Sequence, residues 1–483
     1  MQTAPILSGY FSANVWEHLV LQLSQRYPLI LDASVVLGSL YYFRSSGPGC
    51  LAMSKTAKAH YNLALASYGN AIAGLRSYIE QSTEKADEEV TLVVLVSCLL
   101  FVCFEMLQGD QKLVISHLVK GMRILFAQYK PTTCISATAR PVILGNDFPD
   151  TMDSLVDVFI RLDSNSTMFA HRTTYLCTTC RCCCQGTDIK INHSFSSVKE
   201  ARSHLDLLMS NTFRLRGSIL KETERMISSG PSEGIDVFIE TSREEDWARK
   251  YCNIYAMSRA MDLSARKAGS ALATKQSQLI TAFNAWEAGL AGLAEQHDDL
   301  AVILLRIQHF FSWFVVSTLR DSDEVACDRF RAEYANVVTL ASEYMDRTRD
   351  ATKTYGFALE SQVLHSLYIV GLKCRDSRLR RRAVELLGNA TVQEGLWSGK
   401  VFAAYLRRMI EIEEAQARRL RPDLPEEIEL TYNLVPEEAR MRDVVLATDD
   451  TRPLTGRLVW SQRSSEDQTT TTLLEDKFRL LSV

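Results

Sequence analysis

Between Val90 and Phe104 only Thr91 and Ser97 interrupt an apolar run, and both are small. Three acids, Asp87, Glu88 and Glu89, precede it, where a helix N-terminus favours negative charge, and Gly109 follows it, where helices often stop. A helix apolar on every side must be surrounded by other helices or by lipid. The uninterrupted run is shorter than the ~20 residues a bilayer needs. Glu105 also sits in its last turn. The pattern therefore predicts a buried central helix with no membrane. A second run, Leu300 to Leu319, is almost as apolar.

Around these two centres the chain reads as amphipathic helices. Asn14 with Glu17 makes a capping box, and Trp16, Leu19, Val20 and Leu23 follow on one face. Pro28 opens a second helix, and a third covers residues 54–79, with Tyr61, Leu65, Tyr68, Ile72 and Leu75 as its predicted buried stripe. The helix Gln111–Tyr129 comes next, then a proline-bearing loop over 130–150 and a helix at Met152–Leu162. Residues 164–196 are rich in Ser, Thr, Cys and Asn without a helical period and read as an insertion. Helical periodicity returns at Ser197. Leu279, Phe283, Trp286, Leu290 and Leu293 form one later stripe, and Phe330, Tyr334, Val337, Ala341 and Tyr344 another. Helices are also expected at Glu360–Arg375, Ser377–Leu387 and Lys400–Glu414. Beyond Pro422 the composition is charged and threonine-rich.

The expected fold class is all-α, a compact array of about twelve to sixteen helices. Its expected layout is an N-terminal half (1–163), an insertion (164–196), a C-terminal half of the same domain (197–420) and a polar, mostly disordered tail (421–483). Eleven prolines and 22 glycines in 483 residues suit long helices better than strands and turns. A net charge of −4 supplies no global basic field for nucleic acid or anionic lipid. The first residues lack the positive and apolar regions of a secretory signal, so the twelve cysteines are expected reduced and intracellular.

Candidate chemistry is sparse. Cys177 and Cys180 have a zinc-like gap, and Cys182, Cys183 and Cys184 follow, with His171 and His193 flanking. Adjacent cysteines cannot easily supply two more tetrahedral vertices. The expectation is no dedicated metal, with Cys177, Cys180, Cys182 and Cys184 as the candidates if one is bound. Arg375, Arg378, Arg380, Arg381 and Arg382 read either as a phosphate-binding or import patch or as a solvated helix face with carboxylate partners, the second being favoured. His18, His117, His309 and His365 lie in helical patterns and read as packed or surface residues rather than bases. Glu244–Glu245 and Glu413–Glu414 read as solvated charge. No phosphate loop, HExxH or GxSxG appears. No catalytic residue and no cofactor is expected.

LYIVGLKCRDSRLRRRAVELL (367–387), EGLWSG (394–399), VWEHLVLQLSQRYPLILDASVVLGSL (15–40) and LLFVCFEMLQGDQKLVISHLVKGMRIL (99–125) resemble the fungal-specific transcription factor domain. FSSVKEARSHLDLLM (195–209) lies between them, and the resemblance spans roughly 10–415. That domain normally accompanies a zinc binuclear-cluster DNA-binding module, whose six cysteines and basic linker are not found here; zinc is expected only in such a module. Ser366 stands where the family would have proline. The resemblance implies a nuclear transcription regulator, of metabolic or secondary-metabolite genes, represented by its helical regulatory domain. Its implied partners are proteins of the transcription machinery or a related DNA-binding subunit, a small-molecule effector, or a second copy of the chain, with DNA reached only indirectly. The alternative is an interaction or small-molecule-sensing helical protein, nuclear or cytoplasmic, derived from such a regulator.

Overall fold

The computed structural model describes residues 14–45, 55–82, 88–128, 149–170, 194–228, 271–294, 300–321, 323–349, 356–449, 452–463 and 471–480. Thirteen α-helices occur among them, with few and short strands outside the C-terminal region, so the fold is all-α in class. The chain divides into two compact units.

Unit 1 comprises residues 1–190, 348–362 and 391–398. After a π-helical turn at Asn14–Leu19 it contains α1 (Val20–Arg26), α2 (Pro28–Ser45), α3 (Lys55–Gln81), α4 (Glu88–Gln108), α5 (Gln111–Gln128) and α6 (Pro149–Ala170). A short parallel pair joins β1 (Gly356–Ala358) to β2 (Val392–Glu394). The expected central helix is α4. Every side chain from Val93 to Leu107 is buried, so no face is left over. Trp16, Ile30, Leu40, Leu118 and Phe159 are among the side chains that enclose it. Each such aliphatic or aromatic burial contributes roughly 1.5–3 kcal/mol.

The stripe expected on α3 is corrected. Its inward residues are Ala57, Ala64, Ser67 and Ala71, while Leu65 and Ile72 face solvent and Tyr61, Tyr68 and Leu75 are half-buried. Small residues win this face because α3 lies close to α2: a Cβ on Gly74 would stand 3.0 Å from Leu29 Cβ. Helix α6 also overruns the expected break, continuing to Ala170 with Ser164 buried. Residues 171–193, with the whole cysteine cluster, lie outside the described residues.

Unit 2 comprises residues 191–347, 363–390 and 399–483. Its helices are α7 (Val198–Ser228), α8 (Ala271–Ala294), α9 (Leu300–Thr318), α10 (Arg331–Thr348), α11 (Leu364–Lys373), α12 (Ser377–Asn389) and α13 (Gly399–Leu420). The stripes expected on α8 and α10 are all buried. Ser366 is also buried, its hydroxyl donating to Ile307 O at 2.7 Å, a bond no proline could make. Gly399 is required at the start of α13, because a Cβ there would fall 2.3 Å from Leu387 O.

The expected disordered tail is corrected too. β3 (Arg442–Asp449), β4 (Arg452–Arg463) and β5 (Thr471–Arg479) form an antiparallel three-stranded sheet in sequence order. The threonines that made this stretch read as a disordered tail are, like its valines, β-branched residues suited to a pleated surface. Leu458, Val459 and Trp460 are buried, and Arg408 of α13 holds Asp476 of β5 through bonds of 2.8 and 3.0 Å.

Helices α4 and α9 are long and apolar enough to cross a membrane, but 89% and 72% of their apolar windows are buried inside the protein. Burial by neighbouring helices accounts for their composition.

Candidate functional site

The arginine run expected to be a solvated face has two layers. Asp376 caps α12, its Oδ1 accepting from Leu379 N at 3.0 Å, and its extended backbone breaks the chain between α11 and α12. Arg375 and Arg380 thereby enter the core of unit 2, each about 2% exposed. Arg375 Nη2 lies 2.6 Å from Glu413 Oε1 and Arg380 Nη1 2.6 Å from Glu413 Oε2. Met441 N donates to the same carboxylate at 2.7 Å. Arg375 also reaches Glu324, which is held by Lys373 Nζ at 2.6 Å.

Burial alone would raise the pKa of Glu413. Arg375, Arg380 and the Met441 N–H outweigh it and hold the carboxyl at about 2. Glu324 is likewise kept below its usual range against burial, by Lys373 and Arg375. One carboxylate shared by two buried guanidiniums joins α11, α12, α13 and the strand entry at Met441. The solvated reading of Glu413 is thus corrected; its neighbour Glu414 pairs with Arg381 at 2.6 Å.

The outer layer is as expected. Arg378, Arg381 and Arg382 are exposed and have carboxylate partners in Glu429, Glu414 and Glu385. Beside them, between α10 and α12, runs an open trough with a volume of about 710 Å³, floored by Ala335 and Leu379. Arg331, Arg378 and Arg382 rim it, and Arg331 stacks 4.1 Å over the Tyr432 ring. Such a surface, with an apolar floor and a rim of exposed guanidiniums, suits a segment with an apolar anchor and a carboxylate.

Of the four candidate histidines, His309 and His365 are buried, His117 is half-buried and His18 is exposed. His309 stacks on Trp286 at 4.9 Å with Nε2 3.0 Å from Phe283 O, and burial lowers its pKa. His365 lies edge-on to Phe311, its pKa pushed down to about 3 by burial. His117 is also lowered, by burial first and Lys120 second. Glu244 and Glu245 lie outside the described residues, as do Cys177, Cys180, Cys182 and Cys184. Among the described residues no group of three or more His, Cys, Asp or Glu could hold a metal ion. No local pattern marks the Glu324–Arg375–Glu413–Arg380 cluster, because its carboxylates lie 51 and 38 positions from Arg375.

Comparison with known families settles the N-terminal part. Residues 1–211 match the model of the fungal specific transcription factor domain. Over this stretch the chain is similar to that domain. The domain takes in α1 to α6 and the first half of α7. It supports a role in the regulation of transcription and implies a regulatory rather than an enzymatic protein. No curated protein and no solved structure matches the chain.

Proposed function

We propose that this chain is a nuclear transcription regulator of the fungal zinc-cluster type, controlling metabolic or secondary-metabolite genes through its helical body. The observation that carries the reading is the domain match over residues 1–211. DNA would be read by a six-cysteine zinc module or by a partner that has one, because a net charge of −4 supplies no global basic field. The trough beside Arg378 and Arg382 supports an interaction role. It would receive a carboxylate-bearing segment of a protein of the transcription machinery.

Chromatin immunoprecipitation of the tagged full chain tests this. The expected result is occupancy at a defined set of promoters whose transcripts change when the gene is deleted. An Arg378→Glu/Arg382→Glu variant should keep its fold, because both residues are exposed, and should lose the transcript response. A chain confined to the cytoplasm, or one with no promoter occupancy and no transcript change, would overturn the proposal.

A further inference from the structure

The trough between α10 and α12 is half of a longer groove. A second hollow of about 640 Å³ adjoins it, and the two share Ala335, Leu379 and Arg382. Together they follow one face of α10, where Arg331, Ala335, Val338, Ser342 and Asp346 recur at steps of three and four. From Arg331 to Asp346 the helix rises about 22 Å. Ala335, Thr339 and Ser342 are small, so the backbone of another helix can come close over Val338 and Leu379.

The two ends of the groove differ in charge. Arg331 and Arg378 stand at one end, in the first turns of α10 and α12, where the helix dipoles are also positive. Glu343 and Asp346 stand at the other, near the negative C-terminus of α10, with Arg347 paired to Glu343 at 3.2 Å. The basic end has one seat taken and one open. Arg378 already pairs with Glu429, and Asp376 spends its carboxylate on Leu379 N. Arg382, midway, pairs with Glu385 at 2.9 Å, an exposed contact of small worth. Among the described residues Arg331 has no carboxylate partner. Its Nη2 reaches Asn433 Oδ1 at 3.4 Å, and its guanidinium lies 4.1 Å over the Tyr432 ring. Stacking holds the guanidinium plane and leaves N–H groups on its edge for an acceptor with two oxygens.

We propose that this groove seats one amphipathic helix of a partner protein, antiparallel to α10, with a carboxylate of its last turn held by Arg331. The inference rests on the interaction role proposed for the trough, to which it adds the guest's fold, its direction and the residue that reads it. An antiparallel guest sets its positive N-terminus against Glu343 and Asp346 and its negative C-terminus against Arg331; a parallel one would bring like ends together. Apolar residues one turn apart on the guest would pack over Val338 and Leu379. A carboxylate that reaches Arg378 must displace Glu429, so the chain's own glutamate competes with the guest.

Fluorescence anisotropy of the full chain with two stapled helical peptides tests the proposal. Both have about sixteen residues, the length of the groove, and the same composition with one leucine stripe. One has glutamates in its last turn and lysines in its first; the other has the reverse order. Wild type should bind the first several-fold more tightly than the second. Arg331→Glu should invert that preference, and Ala335→Trp should abolish binding of both by filling the floor. Both residues are exposed, so helicity by circular dichroism should stay unchanged. Glu429→Gln should tighten the first peptide by freeing Arg378. A wild type that binds neither peptide, or both equally, would overturn the proposal. So would binding indifferent to Arg331→Glu or to Ala335→Trp. If the peptides fail while Arg378→Glu/Arg382→Glu still abolishes the transcript response, this geometry falls and the interaction role stands.

Discussion

Two buried glutamates separate the chemistry of the two units. Glu105 lies in the last turn of α4 in unit 1, 3% exposed, and accepts a hydrogen bond from the Tyr68 hydroxyl. Glu413 lies in α13 of unit 2, completely buried, and receives two guanidiniums and a backbone N–H. Burial raises the pKa of Glu105, and the Tyr68 bond only partly offsets it. Glu413 is pulled the other way, to about 2, so the carboxylate is the form the fold uses. The same residue type on a buried helical face is tolerated polarity in one unit and a structural joint in the other. What differs is not burial but the partners that long-range packing brings.

That contrast can be broken most severely at Glu413. Glu413→Ala leaves Arg375 and Arg380 buried without their shared carboxylate, and removing one partner of a buried pair costs about 3–5 kcal/mol. A lowered denaturant midpoint of unit 2 checks it. Gly399→Ala should cost about 1–3 kcal/mol by overpacking, since its Cβ would meet Leu387 O at 2.3 Å, and a lowered Tm reports it.

Acid titration sharpens the comparison further. Glu413 has a folded pKa below its unfolded value of 4.5. Its contribution is present above pH 4.5 and is lost as pH falls towards about 2. Glu105 has a raised folded pKa, so its protonated form favours folding below pH 4.5, and that contribution fades as pH rises through the folded value. Stability curves of Glu413→Gln and Glu105→Gln against pH should therefore differ from wild type with opposite slopes on the acid side. The smallest effect belongs to Glu105→Gln at neutral pH. The amide still accepts from Tyr68 and carries no charge, so the change should stay within about 1 kcal/mol and can be stabilising.

Much of the architecture was legible because its signals are local. The α8 stripe from Leu279 to Leu293 and the α10 stripe from Phe330 to Tyr344 are buried as their spacing requires. The α4 run could only be an enclosed helix or a membrane span. Local pattern misled where close approach outweighed bulk: on α3 the alanines face inward and Leu65 and Ile72 outward, because α2 leaves no room for larger side chains. It also misled in the C-terminal sheet, where charged and threonine-rich strands pair with each other and only a few residues such as Trp460 enter a core. The ionic cluster was illegible for a different reason. Arg375 and Arg380 look like their exposed neighbours Arg378 and Arg381 until α13 delivers Glu413 between them.

The most direct test is hydrogen exchange on Glu413→Gln and Glu105→Gln at neutral pH, read separately on the helices of each unit. Glu413→Gln should strongly accelerate exchange in α11, α12 and α13, whereas Glu105→Gln should leave α4 as protected as in the wild type. Equal protection in both variants, or greater loss around Glu105, would contradict the assignment of Glu413 as the joint of unit 2.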